Sequence, residues 1–194
     1  MARKTDPNKI EKVKKAAIEM TIEYGYRGAS IASIAKRAGV STGYLYRHYR
    51  SKEELVEELV DTYLKELKEN FIKNFSQDKG LYEMIIDIVF NLFQLAKKDI
   101  LGAKFIIALV FDISFDKESK KKSCEQLEIA QRIRNLGLKT KELNPKTTVE
   151  EVSVVIFTIP FMYLAEIIKK DNYEELLNEK FVRRVAEMCI NALQ

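Results

Sequence analysis

Seven glycines and three prolines in 194 residues are too little turn chemistry for a many-stranded β-sandwich or barrel. The one histidine, His48, leaves no cluster for a zinc site and a single candidate base for a Ser-His-Asp arrangement. Cys124 and Cys189 lie far apart and match no C-x-x-C pattern, and two free thiols suit a reducing cytoplasm. The phosphate-cradling glycine patterns are missing, as are H-E-x-x-H and G-x-S-x-G. The expectation is therefore a chain that is not an enzyme and holds no cofactor or metal. The start, Met1 to Pro7, has no apolar stretch of the kind a signal peptide needs. The longest uncharged run, Val152–Ala165, is interrupted by Ser153, Thr158 and Pro160. It falls short of the roughly 20 residues that span a bilayer, so a buried helix is expected there and no membrane partner.

What is present points to helices. Hydrophobic residues make up 46% and charged residues 32%, enough apolar surface for a core and too much for disorder. Charge is unevenly placed. Residues 1–50 hold 11 Lys and Arg against 4 acids, a surplus of seven, while the remainder holds 22 bases against 25 acids. A basic head on a slightly acidic body is the asymmetry of a nucleic-acid-binding segment joined to something else.

Asp6-Pro7 opens a helix whose apolar stripe (Ile10, Val13, Ala17, Met20, Tyr24) ends at Gly25. Ser30 caps a second helix with Ile31, Ile34, Ala35 and Ala38 inside, and Gly39 stops it. Ser41 or Thr42 caps a third, short helix through Leu45 and Tyr49. Ser51-Lys52-Glu53-Glu54 is a capping box for a fourth. Further helices are predicted over 81–97, 100–115, 117–138 (ending at Gly137), 148–170 (opened by the box Thr148-x-x-Glu151) and 176–193. The fold class is all-α, about nine helices, with a three-helix head over 1–52 and a helical body over 53–194.

Ser30 to Tyr49 has the logic of a helix-turn-helix. Gly39 permits the reversal, Val40 plugs the gap, and Ile34, Ala35, Ala38 and Leu45 pack within. The second helix is left to enter a major groove with Thr42, Gly43, Tyr44, Arg47 and His48 outward. The stretch Gly39 to Leu55, with Tyr24 to Ala38 before it, resembles the N-terminal signature of the TetR family of transcriptional regulators over about the first 60 residues. The resemblance implies that Ser30, Tyr46, His48 and Lys52 touch phosphates. It also implies that Thr42, Gly43, Tyr44 and Arg47 face bases. Lys52 opens the fourth helix, whose free N–H groups favour an anion. Tyr49 departs from the family's usual Phe, and its hydroxyl needs a partner.

The body has no comparable motif. The resemblance implies a small, largely apolar effector that releases the regulator, a repressor, from a pseudo-palindromic double-stranded operator. The alternative is a helical apolar-ligand or protein-interaction module without specific DNA binding. Candidate wall residues are Tyr63, Phe90, Phe93, Phe105 and Phe157. Residues 152–165 are apolar around the whole helix, and Leu177, Phe181, Val185 and Met188 stripe the last one, so these two helices are expected to form a homodimer interface. Asp112, amid the apolar 105–115 stretch, is expected to be a surface charge at a helix end.

Overall fold

The computed structural model describes residues 7–75, 79–112 and 120–194. Among them are ten helices and no strand: α1 (Pro7–Gly28), α2 (Ile31–Ala38), α3 (Thr42–Tyr46), α4 (Lys52–Asn74), α5 (Leu81–Lys98), α6 (Ile100–Val110), α7 (Lys120–Thr140), α8 (Val149–Ile167), α9 (Tyr173–Leu176) and α10 (Glu179–Leu193). Phe115, Lys117 and the side chain of Cys124 fall outside the described part. The chain divides into two compact units. One comprises the described residues of Met1–Lys65 and Leu101–Glu118, the other those of Glu66–Ile100 and Ser119–Gln194. The cut falls inside α4, and α6 goes with the head.

In the first unit, α1 packs on α2 and α2 on α3. Val13, Ala17, Ile34, Ala35, Leu45, Tyr49, Leu55, Val56 and Leu59 are buried; of the other residues expected inside, Ala38 and Val40 are half-buried, and Tyr24 on the α1 stripe is exposed. The caps fix the helix ends. Ser30 Oγ accepts the Ser33 N–H at 3.1 Å, and Ser41, rather than Thr42, caps α3 by accepting the Tyr44 N–H at 3.2 Å. Gly39 closes α2 in the left-handed region (φ 67°), where a side chain would be strained. At α4, Ser51 Oγ accepts the Glu54 N–H at 3.3 Å. The Glu54 carboxylate reaches back one residue further than a capping box requires, to the Arg50 N–H at 2.5 Å.

In the second unit, α10 packs against α5 and α8, and α7 against α8. The box at Thr148 forms as its sequence predicts. Thr148 Oγ1 accepts the Glu151 N–H at 3.1 Å, and the Glu151 carboxylate accepts the Thr148 N–H at 2.7 Å. Gly137 does not end its helix. It sits inside α7, where a Cβ would lie 2.8 Å from Leu143 Cβ and 2.9 Å from Leu81 Cδ2. Glycine is there for close approach, and the left-handed residue that turns the chain is Lys141 (φ 62°). Pro160 lies buried within α8. The last helix starts later than predicted, at Glu179, because Asn178 Oδ1 accepts the Phe181 N–H at 3.3 Å and caps it there.

Glu142 ties these elements together. Its carboxylate accepts the Leu81 N–H at 2.6 Å, at the N-terminus of α5. Partial burial works to raise its pKa. Hydrogen bonds from Thr140 and from the Leu81 and Tyr82 amides outweigh that and hold it below the ordinary value. Glu142→Ala should cost about 1–2 kcal/mol in a denaturant titration, since it removes charge-assisted bonds to helix-terminal amides. A depressed carboxylate pKa adds stability above its unfolded value of 4.5, lost as pH falls through the folded one. The variant's deficit should therefore shrink on acidification.

Candidate nucleic-acid interface

The outward side of α3 is a set of small and hydrogen-bonding side chains around one buried anchor, Leu45. Thr42, Gly43, Tyr46 and Arg47 are exposed, Tyr46 to 61%, and His48 is half-buried. A Cβ placed on Gly43 meets nothing within 4 Å, so the fold itself does not call for glycine there. Ser30 is exposed at the start of α2, its hydroxyl already shared with Ser33 at 3.0 Å. Tyr44 is different. It is half-buried, and its hydroxyl is buried without a hydrogen-bond partner among the described residues.

Tyr49 finds the partner its hydroxyl needs. Burial first, then the charge and hydrogen bond of Glu58, push its pKa up to about 12. Glu58 also pairs with Lys14 at 2.9 Å, so one acid on α4 gathers a tyrosine beside α3 and a lysine on α1. This contribution is full below the ordinary tyrosine pKa of 10.0 and is lost as pH rises through about 12. An ultraviolet titration should show a tyrosine ionising at about pH 12 that is absent in Tyr49→Phe.

Lys52 is engaged within the chain. Its side chain is 15% exposed, its Nζ donates to the Tyr26 carbonyl at 2.8 Å, and the ammonium lies 3.9 Å from the Tyr26 ring centroid. The Tyr26 hydroxyl donates to Glu53 at 3.3 Å, and the Tyr26 N–H donates to Asp112 Oδ2 at 3.1 Å. Gly25, at φ 72° and ψ 170°, interrupts α1 immediately before it. The sequence places Gly25 as a helix stop. The structure shows a break followed by three more residues, and the break turns the Tyr26 amide toward the residues after α6. Asp112 is therefore not a free surface charge but the acceptor that joins the end of α6 to the end of α1. Its position two residues past α6, in an otherwise apolar stretch, was the only signal in the sequence.

The aromatic candidates are divided between the two units. Tyr63 and Phe105 belong to the first unit and pair with ring centroids 6.1 Å apart, Phe105 being fully buried. Phe90, Phe93 and Phe157 belong to the second. There Phe93 is buried, Phe157 half-buried and Phe90 exposed to 40%. On α8, Val152, Ile156, Pro160, Phe161 and Leu164 are buried, while Val154 is 60% exposed and Met162 also lies open. The stripe on the last helix is largely consumed inside its own unit. Leu177 and Val185 are buried, and only Met188 is exposed. The Cys189 thiol is buried, which raises its pKa to about 12 and leaves it unreactive. Among the described residues, no group of three or more His, Cys, Asp or Glu could hold a metal ion, and no helix is long and apolar enough to cross a membrane.

Among the described residues the chain is all-helical, with a capped helix-turn-helix on its basic head. Residues 14–59 match the model of the bacterial regulatory proteins of the tetR family. It is 31% identical over 86 residues to the biofilm operon icaADBC HTH-type negative transcriptional regulator IcaR of Staphylococcus epidermidis, covering 42% of this chain and 46% of that one. The chain spans less than half the length of the curated relatives it matches. Solved structures align over nearly the whole chain at low identity and show the fold. A tetR-family transcription regulator from Shewanella sp. PV-4 aligns at TM-score 0.73 and 21% identity, over 95% of this chain and 97% of that one. FadR of Bacillus subtilis, in complex with stearoyl-CoA, aligns at 0.67 and 18%, over 95% and 100%.

Proposed function

We propose that the chain is a cytoplasmic, homodimeric DNA-binding regulator, a repressor released from a pseudo-palindromic operator by a small, largely apolar effector. The observation that carries the reading is the outward side of α3. Thr42, Gly43, Tyr46 and Arg47 are exposed around the buried Leu45, on a head with a surplus of seven positive charges. Residues 1–52 would be the DNA-binding part and 53–194 the ligand-binding and dimerisation part. Ser30, Tyr46 and His48 are assigned to phosphates, and Thr42, Gly43 and Arg47 to the groove. Lys52 meets DNA through the N-terminus of α4, since its ammonium is held by Tyr26. The incompletely covered side of α8, with Val154 and Met162, supports a second copy as its cover.

The effector assignment rests on the body's aromatic content and on the fold shared with a regulator solved with stearoyl-CoA. An effector that prefers one head arrangement by about 1–3 kcal/mol would change operator affinity roughly 5- to 150-fold. The test is sedimentation of the purified chain, then gel-shifts on genomic fragments at low salt. The bound fragment is finally challenged with apolar compounds, stearoyl-CoA among them. A dimer that retains fragments selectively and is released by at least one compound supports the reading. A chain that binds such compounds and ignores DNA at every salt concentration is the apolar-ligand module instead.

A further inference from the structure

The geometry points to Tyr44 as a positioning residue of the DNA interface, a platform that holds Arg47 and His48, and not as a side chain that reads a base. The inference rests on the DNA-binding reading above and concerns how its surface is built. Tyr44, Arg47 and His48 stand at i, i+3 and i+4, the spacing that brings side chains together on one side of a helical turn. They meet here. The Tyr44 and His48 ring centroids are 4.8 Å apart with the planes tilted by 53°, and the Arg47 guanidinium carbon lies 5.5 Å from the Tyr44 centroid. Both distances fall within the range of favourable aromatic and cation–π contact.

The hydroxyl points the same way. A tyrosine that reads a base must present its O–H to the groove. This one is buried, with no hydrogen-bond partner among the described residues, while the hydroxyl-bearing neighbour Tyr46 is open to solvent. The ring of Tyr44 is thus used through its face, by a cation and an imidazole, and its polar tip is turned away. Long, flexible Arg47 gains a preferred direction from this platform, and His48 is held half-buried beside it. Ordering the two before DNA arrives reduces the entropy they lose on binding.

The role is separable from base reading because the two need different parts of the residue. The test measures affinity and specificity for the genomic fragment that the wild-type chain retains at highest salt, against random DNA. The proteins are wild type, Tyr44→Phe, Tyr44→Ala, and the Arg47→Ala/His48→Ala pair with and without Tyr44→Ala. Phenylalanine keeps the platform and removes only the unpaired hydroxyl, so Tyr44→Phe should hold affinity and specificity within about twofold, with a melting temperature equal to or above wild type. Tyr44→Ala should lose about tenfold or more in the wild-type background and less than about twofold where Arg47 and His48 are already alanine, because its effect passes through them. A Tyr44→Phe chain that loses specificity by about fivefold or more would show the hydroxyl reading DNA and overturn the inference. So would a Tyr44→Ala loss of equal size in both backgrounds. A wild-type chain that retains no fragment overturns the DNA-binding reading itself, whereas a wild type that binds while Tyr44→Phe fails overturns only the role given to Tyr44.

Discussion

Gly25→Ala should destabilise the chain by about 2–3 kcal/mol. The backbone at φ 72° and ψ 170° lies in a region that side chains essentially never occupy, at a cost of order 1–3 kcal/mol even when the surroundings enforce it. Space is not the obstacle, since the nearest atom to a Cβ there is Asp112 Oδ2 at 3.9 Å. The conformation matters because it turns the Tyr26 N–H into that carboxylate, while Tyr26, 2% exposed, also receives Lys52 on its carbonyl and ring. Asp112→Ala removes the same acceptor without the strain and should cost about 1–3 kcal/mol, with Asp112→Asn milder because it keeps an oxygen. The Gly25→Ala/Asp112→Ala double variant should lose less than the sum of the two single losses, since both break one joint. Denaturant unfolding of the three single variants and the double measures all of this. A Gly25→Ala chain within about 0.5 kcal/mol of wild type, on the order of an ordinary surface change, would mean the break in α1 is not needed.

Gly43→Ala should separate folding from DNA binding. Gly43 lies in α3 with nothing within 4 Å of the position a methyl would take, so the free chain accommodates alanine easily. Replacing a helical glycine with alanine should stabilise it by about 0.5–1 kcal/mol. Against DNA the sign reverses. A glycine on the exposed side of a groove-entering helix lets backbone come close to a ligand, and a methyl in that gap should weaken operator binding by about tenfold or more, or about 1.4 kcal/mol. Melting temperature and dissociation constant measured on one preparation check both halves. A variant that is more stable and binds as tightly as wild type would place Gly43 outside the contact.

The head was legible because its rules are local. Ser30, Gly39, Ser41 and the Ser51 box are each set by a hydroxyl or a missing Cβ acting within four residues, and Leu45 and Ile34 follow from helical period. What the sequence hid depends on residues distant along the chain. Asp112 and Tyr26 are 86 positions apart, and nothing near either reveals the other. Glu142 serves the amide of Leu81, 61 residues away. Gly137 resembles a helix stop until Leu143 and Leu81 are seen pressed against it. Tyr44 reads as outward from its helical position alone. Only its three-dimensional neighbours show that ring and hydroxyl have different surroundings. For the aromatic candidates, spacing could not distinguish an exposed Phe90 from a buried Phe93 three positions on.

The most direct test of the central claim is footprinting of the purified chain on the genomic fragments it retains. A dimer that reads DNA through α3 should protect a pseudo-palindrome whose half-sites lie about one helical turn, or a multiple of it, apart. Arg47→Ala should weaken that protection while leaving the melting temperature unchanged. Uniform, salt-sensitive retention of all fragments, with no protected sequence and no effect of Arg47→Ala, would contradict the account.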